Sequence, residues 1–245
     1  MNKRAAFDNP VNQPCENLKA VEQQPHVTVL RTCCTFIKNY VYLVQDPLSG
    51  DAVLIDPAWQ MDVIDRAIRD ARARLCGILI THSHLDHVHL SEPIAHKYQC
   101  PIWMSREEIA ASGFMAPQLV GIGAEPWRVG KVLIEPMLTP GHTPGCMCYR
   151  IGDNLFSGDV LFVEGCGMCS DIASAHAMFA SLQHLKSRLK PHTRIFPGHC
   201  YGKAPGQPLS EVFQDNIYLQ FTDKHTFAAF RLRSGQSKAK LFNFK

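Results

Sequence analysis

The chain has 245 residues, enough for one medium-sized domain with a small appendage. Hydrophobic residues make up 46% and charged residues 19%, as in ordinary globular proteins, and no apolar run is long enough to cross a membrane. The formal net charge of +3, with no basic stripe carrying interleaved aromatics, argues against a nucleic-acid-binding protein. The N-terminal stretch has no apolar segment of signal-peptide type, and ten cysteines in such a chain fit reduced thiols, so we expect a cytoplasmic protein.

The first half of the chain opens with an irregular segment and continues as strands. Residues 1–24 are polar, hold Pro10 and Pro14 and show no apolar periodicity, which predicts an N-terminal arm. Two β-rich runs, 40–44 and 52–56, flank the turn residues 47–50 and predict a hairpin. A helix with one apolar face is predicted from apolar residues spaced three and four apart: Met61, Ile64, Ile68, Ala71 and Leu75. A continuous apolar strand, 77–81, then leads into His82.

The second half repeats the order of strands followed by a helix. The predicted elements are a helix over 91–98, a strand over 101–104, strands within 127–137, a hairpin of 147–151 and 154–157, a helix carrying Met178, Leu182, Leu185 and Leu189, a strand over 193–196, and a helix from about 209 through 219 before a basic tail. This order predicts two sheets packed face to face with helices outside, an α/β sandwich of four layers. We expect residues 25–205 to form the main domain, with 206–245 as a C-terminal helix and basic tail packed on it.

The densest chemical signal follows the apolar strand 77–81. His82 and His84 are two residues apart, so in an extended backbone both side chains point to the same side. Asp86 and His87 follow directly. Imidazole and carboxylate groups together are a ligand set for zinc, and iron or manganese are alternatives.

Three further ligand-type residues stand in separate loops at strand ends. They are His142, Asp159 and His199, and each lies beside a glycine that lets the backbone approach closely. A single histidine would be better explained as an ordinary surface or core residue. Four ligand-type residues within six positions, joined by three more at strand ends, indicate a metal site instead.

The pattern His-x-His-x-Asp-His, followed by these loops, resembles the metallo-β-lactamase superfamily over residues 27–202. The resemblance implies a four-layer αββα sandwich with two divalent metal ions. One ion would be held by His82, His84 and His142, the other by Asp86, His87 and His199, and Asp159 would bridge them. Hydrolysis would proceed by attack of a metal-bridging hydroxide, with Asp86 also orienting the water.

Several positions indicate which branch of this superfamily the chain resembles. A redox di-iron branch carries glutamate where this chain has His84, and true β-lactamases lack a carboxylate at the position of Asp159. The segments 139–145 and 157–167 are similar to hydroxyacylglutathione hydrolases (glyoxalase II), which cleave thioesters. The residues that follow, Met168, Cys169 and Ser170, replace the basic and aromatic residues with which that branch holds glutathione.

The segments 198–206, 216–220 and 230–233 look like a glyoxalase II-like sub-branch that accompanies trans-acyltransferase polyketide synthases and removes acyl groups from carrier proteins. The resemblance implies an acyl thioester substrate on an acyl carrier protein. A basic rim could meet the acidic carrier, although a solvated tail is an equal interpretation; its residues are Lys203, Lys224, Arg231, Arg233, Lys238 and Lys240. Alternatives for the activity are a glyoxalase II, a persulfide dioxygenase with a single iron, and a metal-free binding module.

Other residues receive supporting roles. The predicted substrate-pocket residues are Cys166, Met168, Cys169, Cys200 and Lys203. Cys166 and Cys169 form a C-x-x-C pair, for which a structural or pocket-lining role is expected rather than a redox-active or metal-binding one. Thr81, Ser83 and Asp56 are expected to form hydrogen bonds that orient the metal-binding histidines.

Overall fold

The computed structural model describes residues 24–234. Within this range the chain forms twelve strands and seven helices. The predicted N-terminal arm, apart from Gln24, and the end of the predicted basic tail lie outside the described residues. No helix in the described part is long and apolar enough to cross a membrane.

The first sheet has six strands in the order β1-β2-β3-β4-β5-β6. Their bounds are β1 His26–Cys34, β2 Ile37–Gln45, β3 Asp51–Ile55, β4 Arg74–Leu79, β5 Ile102–Ser105 and β6 Leu119–Ile122. β1, β2 and β3 pair antiparallel, and the predicted hairpin of β2 and β3 is confirmed by the register Tyr42 with Ile55. β3 to β6 are parallel.

The second sheet also has six strands, in the order β12-β11-β10-β9-β8-β7. Their bounds are β7 Trp127–Val129, β8 Val132–Leu138, β9 Met147–Ile151, β10 Asn154–Gly158, β11 Arg194–Pro197 and β12 Gln207–Pro208. Only β10 and β11 pair parallel. Gly152, at φ +59°, turns the chain between β9 and β10, as the hairpin signal predicts.

Seven helices lie on the outer faces of the two sheets or at their edges. They are α1 Met61–Asp70, α2 Leu85–Val88, α3 Ser91–Tyr98, α4 Arg106–Ser112, α5 Ile172–Arg188, α6 Leu209–Asp215 and α7 Lys224–Arg231. Apolar residues of α1 and α3 pack on the first sheet, and those of α5, α6 and α7 pack on the second.

Alternation along β3 shows how the layers form. Val53 and Ile55 point between the sheets, where they meet Tyr149 and Phe156 of the second sheet. Leu54 points to the opposite face, against α1 and α3. Because inner strands such as β3 and β9 are buried on both faces, they consist mostly of apolar residues. The predicted αββα sandwich of four layers is confirmed.

Two predicted helices end earlier than their apolar spacing indicates. α1 ends at Asp70, and Leu75 lies in β4, because the chain turns at Arg72 with φ +48°. The helix predicted through Leu219 ends at Asp215. There Asn216 donates from its side chain to the carbonyls of Phe162 and Gly165, and a short 3₁₀ turn, Ile217–Leu219, follows.

Several elements have no counterpart in the sequence predictions, among them the strands β6 and β12 and the helices α4 and α7. Both helices are at most eight residues long and begin at a capping residue, Ser105 for α4 and Asp223 for α7. α7 lies where a basic tail was predicted, and that prediction is wrong for its residues because Phe227 and Ala228 are buried against α5.

Candidate metal centre

The seven predicted ligands lie at one edge of the sandwich, where parallel strands of both sheets end. His82 follows β4, and α2, a single turn, carries Asp86 and His87. In the second sheet His142 follows β8 and Asp159 follows β10, while His199 follows β11. The carboxyl ends of mutually parallel strands meet at the same edge, so seven residues far apart in sequence come together.

Two glycines allow the strand ends to approach each other. Gly158 has φ +48°, and a Cβ there would lie 2.3 Å from Thr81 Oγ1 at the end of the first sheet. A Cβ on Gly198 would lie 2.5 Å from the His87 ring and 2.7 Å from Asp159 Oδ1. Any larger residue at either position would collide with these side chains and force the ends of the two sheets apart.

The ligand atoms form two adjacent groups. In one, His84 Nδ1 lies 3.0 Å from both His82 Nε2 and His142 Nε2. Nitrogens bound to one tetrahedral zinc ion are about 3.4 Å apart, so this spacing suits a shared ion. In the other group, Asp86 Oδ2 lies 3.2 Å from His199 Nε2 and 3.8 Å from His87 Nε2.

Asp159 lies between the two groups and turns one oxygen toward each. Its Oδ1 is 3.4 Å from His87 Nε2 and 3.6 Å from His199 Nε2. Its Oδ2 is 3.7 Å from His142 Nε2. This arrangement suits the bridging role that the sequence analysis gives to Asp159.

Hydrogen bonds behind the histidines fix which ring nitrogen faces the centre. The Nδ1–H groups of His87, His142 and His199 donate to the Asp56 carboxylate, the Met168 carbonyl and the Lys38 carbonyl, at 2.9, 2.9 and 2.8 Å. His82 Nδ1 lies 3.1 Å from Thr81 Oγ1, which donates its own proton to Asp56 and therefore accepts from the imidazole. In all four rings the lone pair on Nε2 is left to face the centre, as metal binding requires.

Burial and neighbouring charges shift the pKa values of the site residues in different directions. Burial lowers the pKa of His82 well below its usual value, and neighbouring imidazoles lower it further. Burial would also lower the pKa of His87, but the Asp159 and Asp56 carboxylates raise it well above the usual value. Burial would raise the pKa of Asp159, yet His199 and His87 hold it well below the usual range.

Two buried atoms show that the site fits a cation. His87 Nε2 and Asp159 Oδ1 make no hydrogen bond with any described residue, although they lie 3.4 Å apart. Leaving buried polar atoms unpaired is unfavourable, and both belong to residue types that bind zinc. A divalent ion would satisfy both of them.

Two residues that support Asp86 were not found from the sequence. Asn39, buried in β2, donates from Nδ2 to Asp86 O at 2.7 Å and to Asp86 Oδ2 at 3.2 Å. Trp59 Nε1 donates to Asn39 Oδ1 at 2.6 Å, and its ring packs on His89. Neither belongs to the histidine motif, and a lone asparagine within a strand gives no signal that could have identified it. Asp56 has the supporting contacts that were predicted for it.

The predicted pocket residues are spread over different environments. Met168 is 51% exposed, and its carbonyl holds His142. Cys166 is buried in the core beneath α5 and α7, with Cys169 partly buried against it, and Cys200 is buried, so these thiols do not line an open pocket. Burial raises the pKa of Cys200 to about 12. Lys203 is exposed and pairs with Asp215 at 2.5 Å.

The predicted basic rim needs correction at Arg231. Its side chain is only 6% exposed, and its Nε donates to the Gly167 carbonyl at 2.8 Å, because α7 packs inward on the second sheet. Arg233 is exposed and stacks on Phe230, and Lys224 is exposed at the start of α7. Lys238 and Lys240 lie outside the described residues.

Comparison with known proteins places this geometry in a family. The sequence pattern of the metallo-beta-lactamase superfamily matches residues 35–199. The "Probable polyketide biosynthesis zinc-dependent hydrolase BaeB" of Bacillus velezensis is 41% identical over 209 residues, 84% of this chain and 92% of that protein. The "Probable polyketide biosynthesis zinc-dependent hydrolase PksB" of Bacillus subtilis is 38% identical over the same shares of the two chains.

More distant proteins share the fold. A "Hydroxyacylglutathione hydrolase-like protein" of Homo sapiens is 34% identical over 168 residues, 66% of this chain and 56% of that protein. The crystal structure of a metallo-beta-lactamase from Staphylococcus aureus superposes with a TM-score of 0.77 at 22% identity, over 88% of this chain and 69% of the other. The fold, the ligand-type residues at its edge and these matches lead to one conclusion: the chain belongs to the metallo-beta-lactamase superfamily.

Proposed function

We propose that this protein is a zinc-dependent hydrolase that cleaves acyl thioesters, with an acyl group on a carrier protein of polyketide biosynthesis as its substrate. The observation that carries the proposal is the pair of adjacent ligand groups with Asp159 between them. The names of BaeB and PksB, both zinc-dependent hydrolases of polyketide biosynthesis, support the metal and the pathway.

The ligand set suits two divalent ions. One would take His82, His84 and His142, and the other Asp86, His87 and His199, with Asp159 shared. Such ions would supply Lewis acidity and lower the pKa of water to near neutrality, which a hydrolase needs when water attacks the thioester directly, without a side-chain nucleophile.

The chain's own residues orient this chemistry. Asn39 donates to Asp86 Oδ2 and so fixes the carboxylate beside His199. Asp86 can then accept a proton from water or hold it in one orientation. Asp56 keeps the proton of His87 on Nδ1, away from the centre.

Apolar side chains on the ligand-bearing loops favour an acyl substrate over a highly charged one. Leu85, between His84 and Asp86 in the chain, is 65% exposed. Met168, whose carbonyl holds His142, and Ile172, at the start of α5, are also exposed. An aliphatic acyl chain near the centre would cover this apolar surface.

The test compares two thioesters. Protein loaded with zinc is mixed with acyl-carrier-protein thioesters and, separately, with lactoylglutathione, and the free thiol is measured. We expect a higher kcat/KM for the carrier-protein thioester, and loss of turnover for Asp86→Asn with either substrate.

Hydroxyacylglutathione hydrolysis is the second candidate, favoured by the human relative. Faster turnover of lactoylglutathione would contradict the carrier-protein proposal and support this one. One equivalent of iron, with oxygen uptake on glutathione persulfide, would contradict both.

A further inference from the structure

A buried acidic residue lies behind the metal centre without facing it. Glu108 is in the first turn of α4, and its side chain is 1% exposed. Its backbone N–H donates to Ser105 Oγ, the cap of the helix, at 2.9 Å. An acidic side chain at this depth needs partners, because burying an unpaired carboxylate is strongly unfavourable.

The two oxygens of Glu108 accept from two different loops. Oε1 accepts from Ser83 N at 2.8 Å and from Ser83 Oγ at 2.6 Å. Oε2 accepts from Thr143 Oγ1 at 2.6 Å and from Gly145 N at 3.1 Å. Four donors match the acceptor capacity of a carboxylate.

These loops carry the ligands of one of the two groups. Ser83 stands between His82 and His84, at the end of the first sheet, and Thr143 follows His142, from the second sheet. Ser105 adds a further link, since its Oγ donates to the Gly145 carbonyl at 2.5 Å. Only a few bonds therefore separate Glu108 from all three ligands of this group.

We propose that Glu108 is a positioning residue: by joining the Ser83 and Thr143 loops, it fixes the spacing of His82, His84 and His142 for a metal ion. The inference rests on the metal centre of the proposed function and is independent of the substrate. No bond from Glu108 reaches the other group, whose His87 and His199 are held by Asp56 and the Lys38 carbonyl. Loss of Glu108 therefore weakens one group selectively.

The experiment measures zinc dissociation constants by competition with a chromophoric chelator. Glu108→Gln keeps the shape of the side chain but turns one acceptor into a donor, so it cannot accept from both loops. We expect zinc at the group of His82, His84 and His142 to bind about 10- to 100-fold more weakly, the usual effect of losing such support, with the other constant unchanged. His84→Ala and His199→Ala assign the two constants to their groups.

The matched control is Glu107→Gln on the exposed side of α4, which should leave both constants unchanged. If Glu108→Gln does not fold, Ser83→Ala and Thr143→Val each remove one donor and should shift the same constant by a smaller factor.

Equal weakening of both groups, no weakening of either, or an equal effect of Glu107→Gln would overturn the positioning role. A protein that binds zinc with two constants but hydrolyses no thioester contradicts the proposed function and leaves this inference intact.

Discussion

Four carboxylates surround the metal centre, and their hydrogen bonds divide them into two kinds. Asp56 and Glu108 accept only from protein donors, and these donors hold ligand loops or imidazole rings. Asp86 and Asp159 turn oxygens toward the Nε2 atoms of the ligand-type histidines His87 and His199. The same functional group thus serves as support in one place and as a candidate ligand in the other, according to what surrounds it.

The two ligand groups should respond differently to pH. Burial would lower the pKa of His199, but Asp159 and Asp86 raise it above the usual value, as the carboxylates do for His87. Burial lowers the pKa of His82 and His84. A raised pKa keeps a proton on the ring to higher pH, so zinc must displace that proton. As the pH falls, the group of Asp86, His87 and His199 therefore loses its ion first.

This order can be measured by zinc analysis after dialysis between about pH 8 and about pH 5, the range in which histidine titrates. His84→Ala and His199→Ala proteins identify which ion is lost at each step. Simultaneous release, or earlier release from the group of His82, His84 and His142, would contradict the prediction.

At the residue scale, the motif of residues 82–87 could be identified from the sequence, because the spacing of its side chains is typical of a metal site. Two histidines two apart at a strand end, followed by Asp86 and His87, have few other uses. The roles of Glu108 and Asn39 could not be inferred from the sequence, because they depend on contacts with Ser83 and Asp86, which lie far away along the chain.

At the scale of elements, α7 supports the loop that follows Asp159. Arg231 Nε donates to the Gly167 carbonyl, and the next carbonyl, that of Met168, accepts from His142 Nδ1. A C-terminal helix thereby reaches the metal centre through two consecutive peptide groups. The arginine also lies over the Tyr218 ring, with its guanidinium carbon 5.6 Å from the centroid.

Replacing Arg231 with methionine should lower the free energy of unfolding by about 2 kcal/mol, because the Gly167 carbonyl would lose a charged donor in a buried place. Arg233→Met is the matched control, since that side chain is exposed and stacks on Phe230; it should cost less than about 1 kcal/mol. Urea unfolding of the two variants tests this. Equal losses would show that burial of Arg231 contributes nothing specific.

Apolar periodicity located the long elements well and their ends poorly. The spacing that predicts α1 continues to Leu75, although the chain has already turned and entered β4. Likewise, the helix that starts at Leu209 is interrupted by Asn216, whose side chain bonds to the carbonyls of Phe162 and Gly165. Both ends are set by tertiary contacts, which a local pattern does not contain.

At the scale of the whole molecule, the metal centre joins the two sheets. His82, His84, Asp86 and His87 follow a strand of the first sheet, whereas His142, Asp159 and His199 follow strands of the second. Ions bound to both sets would link the sheets at one edge. The interior between the sheets is apolar, with Tyr42, Phe156 and Phe196 packed against one another.

Removal of metal should therefore destabilise the entire fold. Binding at a hundredfold excess over the dissociation constant contributes about 2.7 kcal/mol per site, so a chelator should lower Tm by several degrees in a domain of this size. Thermal unfolding with chelator, and again after zinc is restored, measures the effect. The double variant His84→Ala/His199→Ala should show a much smaller difference, and an equal one would contradict the prediction.

The sequence by itself determined the family, the four-layer sandwich and the candidate ligands, because strand periodicity and ligand spacing are local properties of the chain. Only the tertiary structure decided which carboxylates stand behind the ligands, that Arg231 is buried rather than on a basic rim, and that α7 supports the loop holding His142. These features depend on residues far apart in the sequence, such as Arg231 and the Gly167 carbonyl, which are 64 positions apart, and such pairs meet only when the sheets and the outer helices are packed together.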